Sequence, residues 1–300
     1  MDERAALELL AGELGPVGDD AAVVDGHVLT TDMLHETTDF PAGTTRYTAG
    51  WRAVGASLSD VAAMGAEATA AVAVYAAQSF DERELLSFVR GARDVCEAVG
   101  ASYVGGDLDE HQEFTVVTTA LGRVPDFESA DTTARGPVLR SGANPGDYVC
   151  VTGTLGRSAA ALERFDRGDE EVANELFRFD PRVEAGLALA PDATAMMDSS
   201  DGLARSLHQL AAASDCGFSI EADRVPVAEE LDAVTDDPGA ALETALTFGE
   251  DFELVVTIAE DALETAREAV SVPVSVLGRV VDSGITLDGK PLADEGYSHG

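Results

Sequence analysis

The segment "YTAGWRAVGASLSDVAAMGA", residues 47–66, most narrows the fold: it has helical spacing and is made largely of Ala, Gly, Ser and Val. Small side chains each bury little apolar area, so such a helix is held where its backbone lies close against a sheet. The neighbouring sequence supplies that sheet. "DAAVV" and "HVLTTDML" predict two short strands joined by the Asp25-Gly26 turn, and "TAAVAVYAA", "SYVGGD" and "FTVVTTALGRV" predict three more. Between them, "DERELLSFVRGARDVCEAVG" predicts an amphipathic helix with an acidic first turn, ending at Gly100. Residues 2–13 also have helical spacing.

Residues 125–147 collect Pro, Gly, Ser and Thr and mark the predicted domain boundary. Beyond them "YVCVTG" predicts a strand, "TLGRSAAALERF" the start of a helix, and "ATAMMDSSDGLARSLHQLAAAS" a strand, turn and helix. "DFELVVTI", "DALETAREAV" and "VPVSVLGRVV" add a further strand and helix set. A chain of 300 residues with this pattern predicts two α/β (α+β) domains, residues 1–137 and 138–300.

The charge balance removes several functions. Against 19 Lys and Arg stand 56 Asp and Glu, a net charge of −37, which disfavours nucleic acid and anionic membranes as partners. A hydrophobic content of 45% argues against disorder, so the acids read as the skin of a folded protein suited to a salt-rich cytosol, as in halophiles. No stretch reaches the roughly 18 apolar residues of a membrane span, and a cytoplasmic location is expected. Cys96, Cys150 and Cys216 are far apart and read as small buried hydrophobes in a reducing compartment. Lys290 is the sole lysine, and it sits in the Asp-Gly turn of "LDGK". A Walker loop and a protein-kinase strand lysine are thereby excluded, so any phosphate chemistry must neutralise charge by other means. The five histidines lack zinc spacing, and no G-x-S-x-G elbow is present.

Most acids fall on solvated helix faces, as in "DERELL". Asp20, Asp32, Asp60, Asp107, Asp198, Asp201 and Glu250 instead sit next to Gly, Ser or Thr with apolar sequence beside them, at expected element ends where sites are built. Singly, Asp60 reads equally well as a helical cap, Asp107 as a turn residue and Asp201 as an N-cap. Together with hydroxyls and carbonyls they make a hard oxygen site suited to Mg²⁺. A strand starting at Asp20 would turn Asp20 and Asp19 to opposite faces, Asp20 as ligand and Asp19 as turn residue or supporting partner. The Gly-rich "TGTLGRS" entering a helix reads either as an anion-binding N-terminus or as a plain tight turn.

In order along the chain, "GDDAAVV", "TTDMLHETTDF", "GWRAVGASLSDVAAMGA", "GGD", "RSGANPGDYVCVTGTLG", "MMDSSDGL" and "GEDFELVVT" make this sequence resemble the thiamine-monophosphate kinase family. That family shares a superfamily with aminoimidazole ribonucleotide synthetase, selenophosphate synthetase and a hydrogenase-maturation protein. The resemblance implies a two-domain aminoimidazole ribonucleotide synthetase-like fold, with an N-terminal domain that pairs in a homodimer and a C-terminal domain that closes a cleft. It implies several Mg²⁺ ions, ATP as co-substrate and direct in-line transfer of the γ-phosphoryl group to thiamine monophosphate, without a covalent intermediate. The implied metal ligands are Asp20, Thr30, Thr31, Asp32, Asp60, Asp107, Asp198 and Asp201, of which Asp32, Asp60 and Asp198 are catalytic. Gly106, Asp107, Arg140 and Ser200 would meet ATP; Glu250 and Tyr297 would hold the thiamine moiety. Asp39 stands where the family commonly has a substrate-touching His, Leu108 where Thr is usual and Phe248 where Gly is usual. A different ATP-dependent enzyme of the superfamily, or a non-catalytic Mg²⁺ and nucleotide binder, are the competing readings.

Overall fold

The computed structural model describes residues 9–10, 13–14, 18–125, 136–235 and 237–297. The helix predicted over 2–13 lies largely outside them. Two sheets organise the rest. The first contains β1 (Ala22–Val24), β2 (His27–His35), β3 (Glu67–Ala77), β4 (Ser102–Glu110) and β5 (Thr115–Arg123), in the order β1-β2-β5-β3-β4. Only β3 and β4 run parallel. Asp25 and Gly26 both have positive φ, 47° and 77°, as the primed turn between β1 and β2 requires. The strand starts at Ala22, two residues later than an Asp20 start, so strand alternation does not govern Asp19 and Asp20.

The second sheet contains β6 (Tyr148–Thr152), β7 (Ala193–Asp198), β8 (Gly217–Ile220), β9 (Leu254–Ile258), β10 (Val274–Val281), β11 (Ile285–Leu287) and β12 (Lys290–Pro291). Their order is β12-β11-β8-β10-β6-β9-β7, with β8 and β11 the parallel pair. Lys290 follows the turn Asp288-Gly289, a hairpin as its sequence predicts.

The helix Arg46–Ala63 begins at Thr45, whose hydroxyl accepts the N–H of Thr48, and it buries Ala53, Val54, Leu58 and Val61. A Cβ on Gly122 of β5 would lie 2.5 Å from Val61 Cγ1, so sheet and helix meet closely. The helix also meets two others backbone to backbone. A Cβ on Gly91 of the helix Glu82–Ala98 would fall 1.9 Å from the Tyr47 carbonyl oxygen. One on Gly186 of the helix Val183–Leu189 would fall 2.1 Å from that of Ala62. This last contact joins the segment after residue 147 to the first sheet's helix.

The other face of the first sheet exposes Leu29, Met33, Val72 and Leu121. Leu29 pairs with Leu121, and Thr31 with Thr119, which pairs in turn with Val72.

Candidate active site

One helical turn, Ser57 to Asp60, gathers the acids. Ser57 Oγ donates to Asp32 Oδ2 at 2.5 Å, and Ser59 Oγ donates to Asp198 Oδ2 at 2.6 Å. Asp60 accepts a short hydrogen bond from the Thr30 hydroxyl. Ser57 and Ser59 are fully buried, so their hydroxyls must find partners, and the carboxylates of β2 and β7 are those partners. Asp60 occupies the last turn of its helix and Asp32 the middle of β2, rather than the element ends expected from sequence.

Oxygens of Asp20, Asp60 and Asp198 all lie within 4.8 Å of one another. Burial, reinforced by Asp32, Asp198 and Asp20, holds the Asp60 carboxyl well above the usual range. Asp198 is pushed up to about 8 by burial and then by Asp20, against the opposing effects of Ser59 and Arg140. Asp32 is raised by burial, opposed by Ser57 and assisted by the charge of Glu250. Like charges this close and this dry demand a cation or protons.

Arg140 supplies one cation. Its guanidinium reaches Asp20 through Nη2 at 2.8 Å and Nε at 3.2 Å, and its N–H donates to Asp19 Oδ1 at 2.7 Å. Both aspartates therefore serve the same arginine, one by side chain and one by backbone. Burial opposes the Arg140 charge, but Asp20 raises the guanidinium above its ordinary value.

The remaining sequence candidates are placed variously. Thr30 faces the helix, whereas Thr31 points to the opposite sheet face, where its hydroxyl donates to the Thr118 carbonyl. Gly106 and Asp107 lie on β4, an edge strand exposed along this stretch. A Cβ on Gly106 would sit 1.6 Å from the Ala73 carbonyl oxygen, so strand packing already accounts for that glycine. Asp107 accepts the Leu108 N–H and lies outside the Asp20, Asp60 and Asp198 group. Gly202, and not Asp201, takes the N-cap position of the helix Leu203–Ser214. The Ser200 carbonyl accepts the Glu250 N–H at 2.6 Å, and the Asp201 carbonyl that of Tyr297 at 3.0 Å.

The helix opened by "TGTLGRS" already holds an anion of its own. Asp251 accepts the N–H groups of Gly156, at 2.5 Å, and Ser158, at 2.8 Å. Burial nevertheless pushes this carboxyl to about 6, against those two bonds.

Asp39, Glu250 and Tyr297 come together on a cavity of about 290 Å³, walled by Phe40, Phe177 and Phe248. Asp39 accepts from the His35 backbone N–H and the Thr38 hydroxyl. The Tyr297 ring lies 5.8 Å from that of Phe248. Its phenol is raised by burial and then by the charges of Glu250 and Asp39. Sequence reasoning missed Ser57, Ser59 and Arg52; the available signal was two serines and an arginine interrupting an otherwise small, apolar helix.

The family models for AIR synthase related proteins match residues 18–124 (N-terminal domain) and 144–290 (C-terminal domain). A thiamine-monophosphate kinase of Halobacterium salinarum is 62% identical over 301 residues, covering all of both chains. One from Methanospirillum hungatei is 41% identical, covering 100% of this chain and 99% of the relative. The solved structure described as "AaThiL complexed with AMPPCP and TMP" superposes with a TM-score of 0.86 at 28% identity, covering 99% of this chain and 96% of the other. A thiamine-monophosphate kinase from Stenotrophomonas maltophilia gives 0.79 at 29% identity, covering 96% of each.

Proposed function

The chain belongs to the thiamine-monophosphate kinase family, and we propose that it transfers the γ-phosphoryl group of ATP to the phosphate of thiamine monophosphate, giving thiamine diphosphate and ADP. The observation that carries this reading is the convergence of Asp20, Asp60 and Asp198, from three separate segments, near a cavity of about 290 Å³ lined by carboxylates and aromatic rings. Glu250 links the two, since it lines the cavity and its charge raises Asp32.

A phosphate oxygen of thiamine monophosphate attacks Pγ in line as the bond from Pγ to the β,γ-bridging oxygen breaks, and ADP leaves. That nucleophile is already ionised, so no side chain need take a proton, and the task is to bring two polyanions together. The donor set suits Mg²⁺: carboxylate and hydroxyl oxygens whose crowded charge lacks a full complement of cations. Asp20, Asp32, Asp60, Asp198 and the Thr30 hydroxyl would hold it, with Asp201 at a neighbouring position. When bound, the ion would neutralise charge on the attacking and leaving phosphate oxygens. Arg140 offers the phosphates a fixed positive charge beside Asp20, and Ser200 lies on the loop tied to Glu250. Thr31, Gly106 and Asp107 are assigned to metal and ATP by the family motif alone, standing apart from this cluster. Asp39, Glu250 and Tyr297 with the phenylalanine walls suit a cationic heteroaromatic, which carboxylates and ring faces both attract.

We assign the two domains to residues 1–137 and 138–300, a reading supported by the separate sheets on either side of the 125–147 segment. A homodimer through the outer face of the first sheet is supported by its exposed Leu29, Met33, Val72 and Leu121. No described helix is long and apolar enough to cross a membrane, in keeping with a cytoplasmic enzyme. The test is purified protein in concentrated KCl with Mg²⁺ and ATP, offered thiamine monophosphate, thiamine and an aminoimidazole precursor in parallel. Thiamine diphosphate is expected; turnover of another substrate in its place would overturn the reading.

A further inference from the structure

Arg52 sits among the small residues of the helix Arg46–Ala63 with a side chain only 1% exposed. Burying a guanidinium costs several kcal/mol unless charge and donors are matched. The donors converge on the cavity wall. Nη2 donates to both the carbonyl and Oε2 of Glu250, at 3.0 and 2.5 Å, and Nη1 donates to the Phe177 carbonyl at 2.7 Å. The guanidinium carbon lies 3.7 Å from the centre of the Phe177 ring. Ser158 Oγ completes the clamp at 2.6 Å from the Glu250 carbonyl oxygen.

Glu250 needs such a clamp. Its φ of 63° is left-handed, a conformation that disfavours a residue with a Cβ by about 1–2 kcal/mol. Arg52 holds Oε2, and Oε1 accepts no hydrogen bond among the described residues, which leaves it available to a ligand. Glu250 and Phe177 both line the cavity that also holds Asp39 and Tyr297.

Building on the proposed function, we propose that Arg52 is a positioning residue: it fixes Glu250 and Phe177 so that Oε1 meets an N–H donor of an amino-substituted heteroaromatic cation in the cavity. Arg52 then sets affinity for thiamine monophosphate, while the metal and phosphate machinery works without it. Lys keeps the charge at this site but has no fork to hold two acceptors in fixed geometry.

The test compares wild type, Arg52→Lys, Ser158→Ala, Glu250→Gln and the Arg52→Lys/Glu250→Gln pair in concentrated KCl. Steady-state kinetics are combined with calorimetric binding of thiamine monophosphate without ATP. Arg52→Lys should raise KM and Kd for thiamine monophosphate about tenfold, leaving KM for ATP and kcat within about twofold. Ser158→Ala should move the same constants about threefold, and the double variant should be within about twofold of Glu250→Gln alone. Arg52→Lys that lowers Tm with unchanged affinity, or that moves both KM values and kcat together, overturns the proposal; so does multiplication of the two single effects. Should Arg52→Lys not fold, unchanged affinity in Ser158→Ala overturns it. Wild type that binds thiamine monophosphate without phosphorylating it would sink the kinase reading and leave the affinity comparison decisive for Arg52.

Discussion

Asp251 is the internal counterpart of the acids at the site: a carboxylate buried at a helix start, bonded to two backbone N–H groups, with its carboxyl raised from 3.8 to about 6 by burial. A raised native pKa means the folded protein binds this proton more tightly than the unfolded chain. Its contribution is therefore most favourable below about pH 4 and is lost as pH rises through about 6, by about 3 kcal/mol in all. Asp251→Asn removes that dependence and adds a constant penalty, since an amide accepts one N–H and presents its NH₂ to the other. Urea unfolding at pH 4.5 and pH 7 should show the variant gaining on wild type as pH rises; a constant difference would refute the assignment. Asp60 is raised by burial in the same direction, and the proposed chemistry, unlike the fold, calls for its charge. Asp60→Asn keeps an acceptor for Thr30 yet removes a charge from a cluster crowded by Asp20 and Asp198. Kinase activity should fall at least about 10³-fold, while Tm in EDTA holds or rises; retained activity would take Asp60 out of the site.

At the scale of elements, the helix Arg46–Ala63 decides the architecture through glycine contacts on two sides. Gly91→Ala puts a methyl group 1.9 Å from a backbone oxygen that no side-chain rotation can move. The expected cost is about 3 kcal/mol, at the upper end for overpacking, read as a lowered denaturation midpoint with unchanged slope. An unaffected midpoint would mean the two helices are not this close. The same helix marks how far sequence alone reached. Its small residues revealed close packing against a sheet, but not that Gly91 and Gly186 bring two further helices onto it, because those contacts join segments with no local spacing in common. The acids at the site were legible through their Gly, Ser and Thr neighbours, and their convergence follows from Ser57, Ser59 and Thr30. The pairing of Arg140 with Asp20 and of Arg52 with Glu250 was not legible, since partners 120 and 198 residues apart leave no periodic trace. Thr31, implied as a ligand by the family resemblance alone, turns away from Thr30 by strand alternation, and its hydroxyl donates to the Thr118 carbonyl instead.

For the whole molecule, a net charge of −37 sets two conditions. Self-repulsion must be screened, and concentrated salt, with a Debye length of about 3 Å at 1 M, does this while strengthening apolar burial where the salt is excluded from the surface. A chain so rich in surface acids nevertheless keeps Leu29, Met33, Val72 and Leu121 exposed on one sheet face, with Leu29 and Leu121 directly paired across strands. Solubility alone would favour acids there too, and the homodimer proposed above would cover that face. Two copies would also bring together two large negative charges, which makes the association salt-dependent. Light scattering should then find a dimer in about 3 M KCl that dissociates toward about 0.1 M, with Tm falling over the same range. Leu121→Asp places a charge at the centre of the face and should give a monomer even in concentrated KCl, with circular dichroism still native because Leu121 is 37% exposed in the single chain. A wild-type monomer at every salt concentration, or a Leu121→Asp dimer of undiminished stability, would show that the outer face is not where the copies meet.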